Sequence, residues 1–154
     1  MSLSAQIKAL TNSFVDSPSV RYAAYPVGAG IAAVSDSAAG AWAWSAYVQV
    51  VAAATLPDPC WLVGFTYANG AVEDIDADIA IATGDAAAEV DIAIIPIRSL
   101  LETSVGAGVV TPIILPYPVK IAGSPRVAVR IRKDTAASAA GGTLKILVAT
   151  AVGS

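Results

Sequence analysis

Polar and apolar residues alternate along much of the chain after residue 20, and turn-forming residues separate the alternating runs. In the run "DIDADIAIATGD", which covers Asp74–Asp85, the side chains of Asp74, Asp76 and Asp78 fall on one face. Isoleucine and alanine side chains fall on the opposite face. A period of two residues is the pattern of a β-strand with one face buried. The run is therefore predicted to be a strand.

Eight such runs are predicted to be strands: Ser19–Val27, Ala43–Ala54, Cys60–Gly70, Asp74–Asp85, Glu89–Ser99, Val109–Ile121, Arg126–Asp134 and Gly142–Val152. No long helical period follows residue 20, so the fold class is predicted to be all-β. Since the apolar faces must meet, we expect residues 20–154 to form an eight-stranded antiparallel sandwich. The jelly roll is the preferred topology.

Residues 1–19 form a separate segment in this interpretation. Leu3, Ile7, Leu10 and Phe14 recur at helix-like spacing. The segment is either a short helix packed on the sandwich or an arm that docks on a neighbouring chain.

Prolines mark one strand as unusual. Pro112, Pro116 and Pro118 lie within Val109–Ile121, and proline has no N–H to donate to a sheet. The strand is therefore predicted to lie at a sheet edge. Its prolines would block open-ended sheet growth while leaving an apolar flank, which includes Tyr117, for a defined partner.

The following strand carries its arginines on one face. Arg126, Arg130 and Arg132 alternate with apolar residues that are predicted to enter the core. The arginine face is either solvated or paired with an acidic surface, and the Asp74–Asp78 face of a neighbouring copy is the candidate. Arginine suits such a contact because its planar group binds carboxylates through two hydrogen bonds.

Composition adds an argument for association. Hydrophobic residues make up 56% of the chain and charged residues 14%, against typical values of about 45–50% and about 25%. So few charges leave apolar surface for contacts with other chains. The net charge of −3 argues against a general nucleic-acid binder. The long uncharged run between Asp36 and Asp58 contains glycine, proline and polar residues, so we expect no membrane helix.

The residues needed for common catalytic sites are missing from the sequence. The chain has no histidine, which excludes Ser-His-Asp and Cys-His arrangements. Its single cysteine, Cys60, lies beside Trp61 in an apolar strand and is predicted to be a buried structural thiol. We therefore predict that the protein is not an enzyme and needs no cofactor.

Two weaker possibilities concern ligands. Asp74, Asp76 and Asp78 are weak calcium candidates, because Ile79 stands where a calcium loop requires glycine. Exposed aromatic residues could instead bind a glycan. Candidates for this second role are Trp42, Tyr67 and Tyr117, whereas Trp44 and Trp61 are expected in the core.

Three segments resemble a known group of proteins: "DIDADIAIATGDAAAEVDIAIIPI", "PIILPYPVKIAGSPRVAVRIR" and "GTLKILVATAV". They look like small virion structural proteins of tailed bacteriophages, in which "IxIGTGxxGxEV-IA-IP" precedes "LPxPVxIPxGSRVAxRI" and a closing strand. The likeness covers residues 74–152. Matching positions include Gly84, Glu89, Leu115, Pro116, Pro118, Val119, Arg126, Val127, Ala128 and Arg130.

The resemblance implies a structural role in a virion. The expected protein is a capsid decoration (cement) protein that forms a homo-oligomer, with a trimer favoured, and binds the major capsid protein. It would be made in the host cytoplasm and lie on the capsid exterior. The alternative is a tail- or vertex-associated protein that binds a receptor or glycan. The predicted interface residues are Leu3, Ile7, Leu10, Phe14, Pro116, Tyr117, Pro118, Arg126, Arg130 and Arg132.

Overall fold

The structure is a computed structural model that describes residues 20–27, 32–34, 41–68, 76–97, 111–134 and 142–151. In these ranges the chain forms nine β-strands and no helix. The strands are β1 (Val20–Tyr25), β2 (Ala32–Val34), β3 (Val48–Val51), β4 (Cys60–Ala68), β5 (Ala77–Thr83), β6 (Val90–Ile97), β7 (Thr111–Ile121), β8 (Val127–Lys133) and β9 (Gly142–Ala151).

The all-β prediction is confirmed, and each of the eight predicted strands is present. The additional strand is β2, whose three residues pair with β9. Three residues are too few to show an alternating pattern, so the sequence did not reveal this strand.

The strands form two sheets in which all pairings are antiparallel. The five-stranded sheet has the order β1-β9-β4-β7, with β2 also paired to β9. The four-stranded sheet has the order β3-β8-β5-β6. Among the described strands, β7 has a neighbour on one side only, which confirms the edge position that its prolines predict.

Most connections cross from one sheet to the other. From β3 onward the strands alternate between the sheets, except that β5 and β6 are neighbours in the four-stranded sheet. Repeated crossing of this kind is expected of a jelly roll, which is built from two Greek keys. The jelly roll stays our prediction for the topology, and the two strand orders favour it.

One hydrophobic core lies between the sheets, in the arrangement of a β-sandwich. The five-stranded sheet contributes Leu62 and Phe65, and the four-stranded sheet contributes Ile79, Val129 and Ile131. All five are completely buried, and burying each such side chain contributes about 1.5–3 kcal/mol. The period of two in β5 and β8 is therefore confirmed, because the residues predicted to face inward do so.

The pairing of β4 with β7 is interrupted near its centre. Leu62 lies opposite Val119, but Gly64 lies opposite Ile114. Four residues of β7, numbers 115–118, therefore face one residue of β4 and leave the regular ladder. Bulges of this kind accommodate proline at a sheet edge. Within the bulge, Leu115 packs against the core while Pro116, Tyr117 and Pro118 are exposed.

Substitution of Gly64 by alanine tests this close approach. A Cβ atom at Gly64 would overlap the backbone carbonyl oxygen of Ile113, and a backbone atom cannot move as cheaply as a side chain. We expect Gly64→Ala to lower the free energy of unfolding by about 1–3 kcal/mol, the usual cost of overpacking. Chemical denaturation measures the change. A variant as stable as the wild type would contradict the close contact.

Candidate functional site

The outer face of the four-stranded sheet is covered by arginine–carboxylate pairs. Arg126 Nη1 lies 2.7 Å from Glu89 Oε1, and Arg132 Nη2 lies 2.8 Å from Asp78 Oδ2. Arg130 forms an ion pair with Asp91. The strand pairing brings these groups together. β5 lies between β6 and β8, so outward-facing side chains of the three strands lie side by side on one face of the sheet. Such charge-assisted hydrogen bonds are about twice as strong as neutral ones.

Aromatic rings alternate with two of these arginines. The Arg130 guanidinium lies 4.6 Å from the ring centroids of both Trp44 and Tyr47. The Arg132 guanidinium also lies 4.6 Å from the Trp44 ring centroid, and it lies 5.9 Å from the Trp42 ring centroid. These distances are those of cation–π contacts. The order of the stack is therefore Trp42, Arg132, Trp44, Arg130 and Tyr47.

An irregular segment before β3 positions the two tryptophans. The Trp42 N–H donates to the Lys133 carbonyl oxygen at 2.6 Å, and the Ser45 N–H donates to the Ile131 carbonyl oxygen at 2.8 Å. The Ile131 N–H in turn donates to Ser45 Oγ at 3.0 Å. The segment therefore runs beside β8 and extends the edge that β3 begins. We call the arginines of this face, with their carboxylate and aromatic partners, the arginine layer: Trp42, Trp44, Tyr47, Asp78, Glu89, Asp91, Arg126, Arg130 and Arg132.

The arginine layer satisfies its charges within one chain. Tyr47 donates a hydrogen bond to Asp91 Oδ1 at 2.7 Å, and Arg126 Nε donates to Gln49 Oε1 at 2.9 Å. The hydrogen bond from Arg126 is the main cause that lowers the pKa of Glu89 below its ordinary value. Burial, followed by the hydrogen bond to Asp91, raises the pKa of Tyr47. The arginines therefore do not require the carboxylates of a neighbouring copy, although that contact was one interpretation of the sequence.

The outer face of the five-stranded sheet has a different chemistry. A depression of about 590 Å³ lies across it, and residues of β1, β4, β7 and β9 line it. Val63 and Leu147 belong to β4 and β9, and Tyr22 of β1 is 73% exposed. A second depression, of about 360 Å³, extends past Trp61 and shares Tyr22, Val63 and Pro118 with the first.

A third depression lies on the side of the sandwich formed by β6 and β7, and residues of both strands line it. Its volume is about 350 Å³. Ile94 and Tyr117 are among its lining residues and are 54% and 81% exposed. It shares Ile114 and Leu115 with the depression on the five-stranded sheet. We call this side of the sandwich the β6/β7 flank.

The three depressions form one continuous surface without charge. The three depressions are lined by eight, ten and seven residues. Five of these residues line two depressions each, so the surface comprises twenty different residues. None of the twenty is charged. A specific protein interface involves roughly 20–30 residues a side. This uncharged surface is therefore the candidate functional site.

Cations and carboxylates are distributed unevenly around this surface. The strands of the five-stranded sheet contain Arg21, Lys120 and Lys145 but no aspartate or glutamate. Lys120 is exposed and lies opposite Trp61 in the β4–β7 pairing. The carboxylates of the described strands, Asp78 and Asp91, belong to the other sheet.

Several predicted interface residues fall on the uncharged surface. Pro116 and Tyr117 line the β6/β7 flank, and Pro118 lines the outer face of the five-stranded sheet. The predicted contact residues of the N-terminal segment, Leu3, Ile7, Leu10 and Phe14, lie outside the described residues, as does Asp74.

Three predictions about aromatic side chains were wrong. Trp44 and Trp61 were expected in the core, but both are half-buried on outer faces, where Trp44 stacks on arginines and Trp61 lines a depression. Tyr67 was a candidate for glycan binding, but it is 2% exposed and belongs to the core. Cys60 is completely buried, as predicted, and burial raises the pKa of its thiol.

Runs of apolar residues in the sequence are a signal for the uncharged surface. Around Leu147 in β9 and Val63 in β4, apolar residues follow one another without alternation. Such runs indicate a strand with apolar side chains on both faces. A strand of this kind in an antiparallel sandwich exposes one apolar face unless something covers it.

Metal and membrane sites were also considered. In the described ranges, no three His, Cys, Asp or Glu residues are grouped in a way that could hold a metal ion. Asp78, one of the calcium candidates, instead accepts a hydrogen bond from Arg132 Nε at 2.9 Å. No helix in the described part of the chain has the length and hydropathy needed to cross a bilayer.

No family model, curated protein or solved structure matches the chain.

The ion pair between Arg126 and Glu89 predicts a pH dependence of stability. Because folding lowers the pKa of Glu89 from its ordinary value of 4.5, the pair stabilises the fold above that pH. This contribution is lost as the pH falls through the lower pKa of the folded state. We expect Glu89→Gln to be less stable than the wild type at neutral pH, and the difference to shrink in acid. Thermal unfolding at a series of pH values measures this stability difference, with Asp85→Asn at an exposed position as the control. A stability difference between Glu89→Gln and the wild type that stays constant with pH would contradict the role of the ion pair.

The contacts of Arg130 with two rings predict that lysine cannot replace it. An ammonium group lacks the planar surface that stacks on Trp44 and Tyr47 while pairing with Asp91. We expect Arg130→Lys to lower the free energy of unfolding by about 1–2 kcal/mol. The matched control is Arg21→Lys on exposed β1, with an expected change within about 0.5 kcal/mol. Equal effects of the two substitutions on chemical denaturation would contradict the stacking argument.

Proposed function

We propose that the protein is a virion structural protein that forms oligomers and binds the outside of a capsid shell as a decoration protein. The uncharged surface of twenty residues is the observation that carries the proposal. The resemblance of residues 74–152 to virion proteins gives the setting. A surface of this size and chemistry supports a role in binding other proteins.

The contrast between the two outer faces supports an interaction role. The arginine layer covers one face with groups that pair within the chain. The other face presents Tyr22, Trp61 and Leu147 in open depressions. Because the same chain covers one face so completely, the apolar character of the other favours a surface used for binding.

The outer face of the five-stranded sheet suits a partner with carboxylates around an apolar centre. Lys120 is exposed on this face, opposite Trp61, and the strands of this sheet supply no carboxylate. Complementary charges at the rim of an interface increase the rate of association and its specificity. We therefore assign this face to the contact with the shell.

A decoration protein stabilises a shell by a simple mechanism. Each bound copy buries apolar area, which is worth about 25 cal/mol per Å², and it binds the assembled shell rather than free capsid subunits. Such selective binding stabilises the assembled state. If several copies are linked in an oligomer, each further contact is intramolecular and the oligomer dissociates more slowly.

A second candidate is a tail- or vertex-associated protein that binds a receptor or glycan. Its support is the high exposure of Tyr117 and Tyr22, since aromatic rings are common in binding surfaces.

Quantitative mass spectrometry of purified virions separates the two candidates. Near parity with the major capsid protein supports decoration, whereas a handful of copies supports the tail or vertex. Absence from the particle would contradict both.

Substitution of Tyr22 tests the shell contact. A carboxylate at the centre of an apolar interface would be buried without a partner, so we expect Tyr22→Glu to weaken co-sedimentation with undecorated shells by at least about tenfold, or 1.4 kcal/mol. The control is Val27→Glu, because Val27 is similarly exposed but lines none of the three depressions. Tyr22→Glu that binds as tightly as the wild type would remove this face from the contact.

A further inference from the structure

The hydrophobic core is open at the β6/β7 flank. Seven hydrophobic residues pack against the core while remaining partly exposed, and six of them belong to β6 or β7. The six are Ile92, Ala93, Ile95, Ile113, Leu115 and Val119. The seventh, Tyr25, belongs to β1. The interior of the sandwich is therefore well covered elsewhere in the described structure and continues to the surface here.

Both strands at this flank lie at sheet edges. Among the described strands, β6 is paired only with β5 and β7 only with β4. Ile94, Ile114 and Tyr117 extend from these strands and are each more than half exposed. An apolar edge of this kind is a site for association with another chain unless it is covered.

The flank is free of charge over a long stretch of sequence. No charged residue occurs in residues 92–97 of β6 or 111–119 of β7. Two identical copies can therefore meet here without bringing like charges together. The flank is as hydrophobic as the interfaces of obligate oligomers, whose composition is similar to that of a protein core.

We propose that the β6/β7 flank is the surface through which a second copy of this chain binds. This inference rests on the proposed function, because it divides the uncharged surface between two partners. The outer face of the five-stranded sheet is less suited to contact between copies. Two such faces would bring Lys120 of one copy towards the same cation of the other, and the strands offer no carboxylate to compensate.

The prolines of β6 and β7 would prevent this contact from becoming a continuous sheet between copies. Pro96 lies in β6, and Pro112, Pro116 and Pro118 lie in β7. Each lacks an N–H, so a continuous ladder of backbone hydrogen bonds with another edge strand is interrupted. Association would therefore depend on packing between side chains such as Ile94, Ile114 and Tyr117. Packing of shaped side chains favours a closed oligomer over an open-ended fibre.

The experiment measures solution mass over a broad dilution series of the full chain. The wild type is expected at a multiple of 15.5 kDa. Ile94→Glu and Tyr117→Glu each place an unpaired charge at the centre of the flank. We expect each to raise the concentration at which the oligomer dissociates by at least about tenfold. Tyr22→Glu, on the outer face of the five-stranded sheet, is expected to keep the mass of the wild type.

Two further measurements make the result decisive. Circular dichroism and thermal unfolding show whether each variant is folded, and the uncharged Ile94→Gln provides a milder change if Ile94→Glu does not fold. A wild type with the mass of one chain at every concentration would overturn the inference. So would dissociation caused by Tyr22→Glu while the flank variants remain associated.

The inference and the proposed function can fail separately. A wild-type oligomer that the flank variants dissociate, but that binds no shell, supports the inference and contradicts decoration. A wild-type chain that binds shells but never associates in solution contradicts the inference and supports decoration.

Discussion

A sheet has two faces, and packing two sheets together buries one face of each. The core of this protein, which includes Phe65 from one sheet and Ile131 from the other, uses the two inner faces. What remains is one outer face on each sheet and the two sides of the sandwich. The chain has few charged residues with which to cover them, since they make up 14% of the sequence. The chemistry of each remaining surface follows from where these charges are placed.

Among the described strands, most charged residues belong to the four-stranded sheet. Arg130 shows why this arrangement is stable: its guanidinium contacts the rings of Trp44 and Tyr47 and pairs with Asp91. Ala80 and Ala82 of β5 alternate with the core isoleucines and are completely buried on this outer face, so the outer face acts as a second, polar packing layer. Partly buried ion pairs of this kind contribute to stability only when all members keep their partners. Each arginine of the layer has a carboxylate partner within the chain, although the buried Arg130 Nε makes no hydrogen bond. These pairings within one chain argue for a structural role.

The sequence predicted those features that depend on the period of two. Alternation in β5 and β8 identified both the strands and their core faces, and the prolines of β7 identified an edge. Features that depend on pairing between distant strands could not be predicted. The contact of Arg132 with Asp78 requires that β8 and β5 be neighbours. The position of Trp44 requires that an irregular segment run beside β8, and neither fact has a local signal.

The same reasoning explains why the candidate site was only partly predicted. Tyr117 was identified because prolines surround it, but Tyr22 and Leu147 belong to different strands that become neighbours only in the folded sheet. The outer face that Tyr22 and Leu147 form is apolar because most charged residues of the described strands belong to the other sheet. Lys120 lies at the border of one part of the uncharged surface, whereas the described residues 92–97 of β6 and 111–119 of β7 include no charged residue. The two parts therefore differ in what they can bind. A charged rim selects a partner of opposite charge, whereas an uncharged flank that continues the core is suited to an identical copy.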